Sequence, residues 1–406
     1  MNFMRMRLTF KMPKKYDLFI HISVIALIVI GTLMITSTSV GETYNNDTVV
    51  IKTFIKQLGF VILSYLAMVF MANNFTMSRA KWWSQTIGVL LLGMLLACLM
   101  FDPSGGSRAW LRLSLPMIGE VTLQPSEFFK TFMIVLMAVT VETTRRKENY
   151  SCWTIIKVPV IFMLLGVFFI GLQNDAGSIM VLTVICGVCF LIPTHKSLRK
   201  LQHILMVLIL IGGIASLFLL TPAGLKVVSK LPFLQEHQLS RFIIADNPFS
   251  DPFVDGYQLI NSLYAFATGK WTGLGLGQSI QKMLYLPEAK TDYILAITVE
   301  ELGIGGFLYI LFFYVIIMYR LFYYAFKAKS EGYKILLVGT AVYMFVHFLF
   351  NVGGVTGLLP LTGVPLLFIS SGSSSLLSIC CAVGISQAVI AKCAMAIKLL
   401  RIHANG

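Results

Sequence analysis

Charge is what this chain has least of. Only 12% of its 406 residues are charged, against about 25% in soluble domains. Acids are the scarcer sign, 18 against 32 Lys and Arg. No long polar stretch is available to build a separate soluble domain. No grouping of His, Cys and Asp has metal-ligand spacing, so no tightly bound cofactor is expected; a divalent cation (Mg or Mn) stays open. No small-residue cleavage site follows the first apolar run, which therefore reads as a retained anchor. An inverted repeat of the secondary-transporter kind is also missing. Cys186 and Cys189 have redox-pair spacing, but neither has an adjacent His or acid, and packing explains them better.

What is present is apolar: 57% of the residues, with a mean hydropathy of +0.81. A bilayer-crossing helix needs about 20 apolar residues, and helices satisfy every backbone group in lipid. The fold class expected is all-α, a polytopic membrane protein of about ten transmembrane helices in a single domain. The spans are placed at 17–38, 53–72, 84–101, 126–142, 158–173, 177–193, 204–220, 292–319, 335–356 and 374–392. With the N-terminus inside, the cytoplasmic segments hold 21 of the 32 basic residues. This is the positive-inside pattern, and it puts both termini in the cytoplasm. The excess of +14 thus reports topology and contact with anionic membrane lipids, and no nucleic acid is needed to explain it. Residues 1–16 form a basic cytoplasmic tail.

Two loops are long, and both face outward in this topology. One spans Asp102 to Leu123, the other 221–291. Loops beyond about 15 residues are usually functional or disordered. The second holds an amphipathic stretch, Tyr257 to Phe266, expected to lie as a helix on the outer leaflet. It continues through Gly273-Leu-Gly-Leu-Gly277, where free backbone N–H groups could meet an anionic head group with help from Lys282 and Lys290; a Gly-rich turn with solvated lysines serves equally well.

The loop ends in Tyr285-Leu-Pro-Glu-Ala-Lys-Thr-Asp292, which sets Glu288 and Asp292 at the water–lipid boundary. Asp292 is either a helix N-terminal acid, favoured by the macrodipole, or a functional carboxylate. The same span carries Glu300 and Glu301. Acids at membrane depth cost ~2.5–3.5 kcal/mol each and mark functional cavities by default. Helical phase predicts that Glu300 shares the Asp292 cavity while Glu301 pairs with another helix. Earlier in the chain, Gly105-Gly-Ser-Arg108-Ala-Trp110-Leu-Arg112 precedes Gln124-Pro-Ser-Glu127-Phe-Phe-Lys130. Glu127 and Lys130 can pair at i, i+3; alternatively Arg108, Arg112 and Lys130 form a cationic lip for a pyrophosphate, with Trp110 at the interface. Asp175, in a polar break, is a helix cap or a cavity wall. Gly and Pro between Asn351 and Pro365, then Ser370 to Ser375, suggest a re-entrant outer loop supported by Ser373 and Ser374. His347 reads as a satisfied core residue.

These motifs, in this order, resemble the SEDS family, the FtsW, RodA and SpoVE proteins, over nearly the whole chain. The most specific are Gly105 to Trp110, Gln124 to Glu127, Tyr285 to Asp292, Glu300-Glu-Leu-Gly303 and Pro360 to Pro365. Ser279 to Lys282 with Tyr285 to Ala289 look more like FtsW and SpoVE than RodA. The resemblance implies a peptidoglycan glycosyltransferase of the bacterial cell membrane that polymerises lipid II on the outer face during division. It puts the family's essential aspartate at Asp292, and it implies a class B penicillin-binding protein and other divisome proteins as partners. A RodA-like elongation polymerase, a lipid II flippase and a non-enzymatic scaffold are the rival readings. The chain departs from the family pattern in having Lys290 for a usual His, Asn174 to Ser178 for Pro-Asp-x-Gly-Thr, and Leu367, Ser371 and Ser373 for Pro, Tyr and Gly.

Overall fold

The computed structural model describes residues 7–42, 47–103, 106–115, 119–144, 151–219, 221, 224, 236–283 and 285–404. Parts of the expected tail and of the long 221–291 loop, and Gly105 of the first motif, lie outside these residues. Ten long helices account for the ten expected spans: α1 (Leu18–Glu42), α2 (Asp47–Asn74), α3 (Met77–Cys98), α4 (Pro125–Thr144), α5 (Cys152–Leu172), α6 (Ala176–Leu191), α7 (Arg199–Leu219), α10 (Ile294–Lys327), α11 (Glu331–Val355) and α12 (Ser373–Ala404). Eight are long and apolar enough to cross a bilayer. The exceptions are α6, with 16 residues, and α4, which carries Glu127, Lys130 and Glu142. Two shorter helices, α8 (Glu236–Asp246) and α9 (Tyr257–Gly269), belong to the long loop.

The all-α expectation needs one amendment. Within the 102–123 loop, β1 (Leu111–Leu115) and β2 (Gly119–Leu123) pair antiparallel, with Arg112 opposite Thr122.

Helix α12 is the centre of the bundle. Buried residues make up 83% of its span, against 6% of α7, which packs chiefly on α6 and shows its apolar side chains to the surroundings. Around α12 stand α2, α4, α10 and α11. At the end of the bundle that holds the chain's start, Asp17 ties three elements together. Its backbone exchanges hydrogen bonds with the Gln387 side chain (2.8 and 2.9 Å), and its carboxylate pairs with Arg320 of α10.

Helix α10 has 34 residues, about 51 Å if straight, well beyond a ~30 Å hydrocarbon core. It is broken at Gly303, whose φ of 69° only glycine adopts easily. A Cβ there would lie 2.2 Å from the Trp271 carbonyl, so the break is also where the loop crosses the helix. Just above the break, Glu300 and Glu301 hold that loop. Glu300 accepts from Ser279 Oγ and from the amides of Ile280 and Gln281 (both 3.2 Å). Glu301 accepts from Lys282 Nζ (2.6 Å), Ser37 Oγ of α1 (2.7 Å) and Gly277 N (3.0 Å). The anion met by the glycine-rich turn is therefore the chain's own carboxylate, and Lys282 is a buried counter-ion instead of a head-group contact. Glu301 does reach another helix, as expected. Glu300 does not serve the Asp292 cavity, because loop donors occupy it.

The amphipathic stretch is helical, as its spacing predicts, and the structure gives the buried face of α9 a protein partner. It packs against α10, with Leu259 buried and Ser262 Oγ donating to Val355 O at the end of α11 (2.7 Å).

The loop anchor makes a stability prediction. Lys282→Met leaves Glu301 buried without its cation, and the expected cost is about 3–5 kcal/mol, read as a lower melting temperature in detergent. Adding Glu301→Gln should restore most of that loss; a double variant as unstable as the single would show that the ion pair is not the anchor.

Candidate functional site

Three successive carbonyls fix the backbone that leads into α10. Lys290 O accepts from Ser371 N (2.9 Å), Thr291 O from Ser370 Oγ (2.7 Å) and Asp292 O from Asn351 Nδ2 (2.9 Å). All three donors come from the end of α11 and the 356–372 segment that follows. That segment turns back into the bundle, burying Leu366 to Ser370, as the Gly/Pro pattern suggested. It is itself braced: Asn351 Nδ2 also donates to Val364 O (3.1 Å), and Leu366 N donates to Ser370 Oγ (2.9 Å).

The Asp292 side chain is half-buried and faces the open side of Gly363, where a Cβ would lie 3.7 Å from Oδ2. Its carboxylate accepts no hydrogen bond from any described residue. The helix begins two residues later with Tyr293 as an N-cap that makes no side-chain bond, so Asp292 is not the helix cap. Burial raises its pKa to about 7, the Glu288 carboxylate adds to the rise, and the Arg241 guanidinium opposes it. Desolvation is the largest of these influences, and the net direction is upward. Glu288 is exposed and accepts from Thr291 Oγ1 (2.6 Å).

Arg241 is the cation that sequence reading missed. It sits on α8, exposed, with Nη1 donating to Leu361 O (3.2 Å). Nothing around it in the sequence distinguishes it from a solvated arginine; only the fold brings α8 over the 356–372 segment.

The expected cationic lip is not what forms. Lys130 lies in the core, 1% exposed, bonded to Glu127 (2.7 Å) and 3.4 Å from His347 Nε2. Tyr343 OH donates to the other Glu127 oxygen (2.7 Å), and His347 Nδ1 donates to Pro365 O (2.9 Å). The i, i+3 ion-pair reading holds, and the outward-facing one fails because the second turn of α4 is enclosed by α11 and α12. Arg108 is exposed and fastened to the α5–α6 break, its N donating to Gln173 O (3.0 Å); Trp110 is half-buried beside it. Asp175 is a helix cap, accepting from Ser178 N (2.9 Å), and it also holds Gln124 Nε2 (3.0 Å). Ser374 Oγ accepts from Gln124 N (2.9 Å), and Ser373 Oγ donates to Thr122 O (3.2 Å).

Next to the clamped backbone lies a polar cavity of about 260 Å³. Thr53, Lys56 and Gln57 of α2, Lys290, Ser371 and Ser373 line it. It is far larger than the ~10–15 Å³ that one water needs. Thr122 also borders it, and Arg112, its cross-strand partner, shares that sheet face. Lys56 too went unread in the sequence, where it looks like a lysine at the end of a membrane helix. Among the described residues no group of three or more His, Cys, Asp or Glu is placed to hold a metal ion.

A bundle of membrane helices with a partly buried acid beside a cationic cavity at one end defines the class. The comparisons define the family. A sequence model of the family described as "Cell cycle protein", FtsW/RodA/SpoVE, matches residues 17–393, and the chain belongs to that family. It is 31% identical over 380 residues to the probable peptidoglycan glycosyltransferase FtsW of Bacillus subtilis, covering 92% of this chain and 90% of that one. It is 32% identical over 379 residues to the stage V sporulation protein E of the same organism, covering 91% and 95%. In fold it is similar to a chain of a peptidoglycan synthase complex (TM-score 0.67, 21% identity, 94% of this chain and 99% of that one). The rod shape determining protein RodA of Thermus thermophilus is also similar (TM-score 0.59, 18% identity, 93% and 97%).

The carbonyl clamp is testable. Asn351→Leu removes two buried hydrogen bonds, with an expected loss of about 1–3 kcal/mol and faster hydrogen exchange across 285–293 but not in α3. Unchanged exchange there would remove Asn351 as the brace.

Proposed function

We propose that this chain is a peptidoglycan glycosyltransferase of the cell membrane that polymerises lipid II for division, with Asp292 as its general base. The observation that carries this reading is a half-buried carboxylate that accepts no described hydrogen bond and stands on a triply fixed backbone, with burial raising its pKa to about 7. A base is most effective when its pKa lies close to the working pH, and such help is worth ~10²–10⁴-fold.

The chemistry needs one displacement. The donor sugar is α-linked to the diphosphate and the product linkage is β-1,4, so C1 inverts once. The acceptor 4-hydroxyl oxygen forms the new bond to C1, the C1–O bond to the diphosphate breaks, and the hydroxyl proton passes to Asp292. The leaving group departs as undecaprenyl pyrophosphate, whose growing negative charge calls for nearby cations. Arg241 opposes full neutralisation of Asp292 and so keeps part of the population in the carboxylate form at neutral pH. The positive-inside pattern supports an outward-facing site, and membership of the family supports a class B penicillin-binding protein as the partner that cross-links the strands.

Purified protein with that partner, given labelled lipid II in detergent, tests the reading, because detergent has no sides and flipping cannot make polymer there. Asp292→Asn should fold and insert normally but produce no glycan; near-normal polymer from this variant would remove Asp292 from the mechanism. The pH dependence has a sign. The base works deprotonated, so polymerisation should rise with pH, reach half its plateau near about 7, and stay high above it. Arg241→Gln removes a charge that favours the carboxylate and should move that midpoint up; Glu288→Gln removes a repelling acid and should move it down. Shifts in the same direction would contradict the assigned electrostatics.

A further inference from the structure

The segment that leads into α1 presents apolar side chains to the surroundings. Leu8 is 90% exposed and Phe10 80%. They do not sit on a free end. Asn74, the last residue of α2, exchanges hydrogen bonds with the Arg7 backbone: Arg7 N donates to its Oδ1 (2.7 Å), and its Nδ2 donates to Arg7 O (3.0 Å). Asn73 Nδ2 donates to Lys11 O (2.9 Å). The two ties flank residues 8–10, so both apolar side chains stand between fixed points. Four exposed cations surround them, Arg7, Lys11, Lys14 and Lys15, and residues 7–16 hold no acid. Tyr16 N donates to Pro13 O (3.3 Å), which puts Lys14 and Lys15 at the tip of a turn.

A single exposed Leu is ordinary. Two apolar side chains pinned within a basic rim match a membrane surface, where apolar groups enter the acyl boundary and cations meet anionic lipid. Depth along the bundle agrees. Helix α3 starts at Met77, just after Asn74, and carries Trp82 and Trp83, both exposed. Trp gathers where lipid meets water. At 1.5 Å per residue the start of α3 lies ~8 Å from that level, close to the thickness of a headgroup layer.

We propose that residues 7–16 form a docking surface for anionic lipid headgroups, with Leu8 and Phe10 entering the bilayer and Arg7, Lys11, Lys14 and Lys15 meeting the phosphates. On the positive-inside topology the leaflet is the cytoplasmic one. Helix α2 packs on α12, the centre of the bundle, so a grip at the end of α2 sets the level of the whole bundle in the membrane. None of this depends on the glycosyltransferase reading.

Hydrogen exchange provides the test, on the full chain in nanodiscs of phosphatidylcholine alone and of phosphatidylcholine mixed with phosphatidylglycerol. Exchange across 7–16 should be at least about tenfold slower with the anionic lipid. A cation near an anionic surface is worth about fivefold in affinity, so Lys11→Gln, Lys14→Gln and Lys15→Gln should each give back up to that factor. The triple variant should show no dependence on lipid charge. Salt near 1 M, where the screening length is ~3 Å, should have the same effect on the wild type. Leu8→Ser with Phe10→Ser keeps every cation and should still lose most of the slowing, which separates insertion from attraction by charge alone. Exchange in α12 should stay unchanged throughout, so a loss of fold is not mistaken for a loss of docking. Equal exchange across 7–16 in the two lipids would overturn the lipid surface. Full slowing in the Leu8→Ser, Phe10→Ser variant would overturn the insertion.

Discussion

Three hydrogen bonds to consecutive carbonyls decide what this molecule can do. A carboxylate on a loop is ordinarily a moving target, because each residue of free backbone has ~1–2 kcal/mol of conformational entropy to lose. Here Ser371 N, Ser370 Oγ and Asn351 Nδ2 take the carbonyls of 290, 291 and 292 in turn. The side chains of Lys290 and Asp292 are thereby aimed before any ligand arrives. In the proposed reaction, preorganisation of this kind holds the base in place for the acceptor hydroxyl.

The clamp works only because its supports are rigid. On one side Glu300 and Glu301 pin the 277–282 turn to α10, and the Lys282 ammonium neutralises Glu301 inside the protein. On the other, Glu127, Lys130, Tyr343 and His347 lock α4 to α11, and the imidazole reaches Pro365 O in the returning segment. Buried ion pairs add little net stability. Their partners are fixed in direction, however, and a slipped register would leave a charge unpaired in a low-dielectric interior. Acids deep in this bundle therefore divide by partner. Those that bond to a cation or to several N–H groups inside are structural, whereas the Asp292 carboxylate accepts no hydrogen bond from any described residue and feels Arg241 only through its charge.

Much of the fold was legible, and the reason is plain. Apolar runs near 20 residues have one stable form in lipid, so ten helices and their order follow from composition. The loop acids, the Asp175 cap and the Glu127–Lys130 pair could be read because they depend on neighbours three residues away. Contacts between distant segments could not. Lys130 looked outward-facing because the sequence does not show that α11 and α12 close over α4. Lys282 looked like a head-group contact because its partner is nineteen residues on, inside α10 just before the break at Gly303. Arg241 and Lys56 carried no local signal at all.

The sequence by itself determined the class, the helices, the positive-inside bias and the identity of the acid at 292, since hydropathy, charge asymmetry and short-range spacing are properties of single segments. Only the tertiary structure decided which distant charges meet, as Glu301 meets Lys282 and Asp17 meets Arg320. Burial, which raises the Asp292 pKa, and the convergence of Lys56 with Lys290 arise where α2, the 285–293 turn and the 356–372 segment meet. Electrostatic energy falls off with distance and depends on the surrounding medium, and neither is written in the order of residues along a chain.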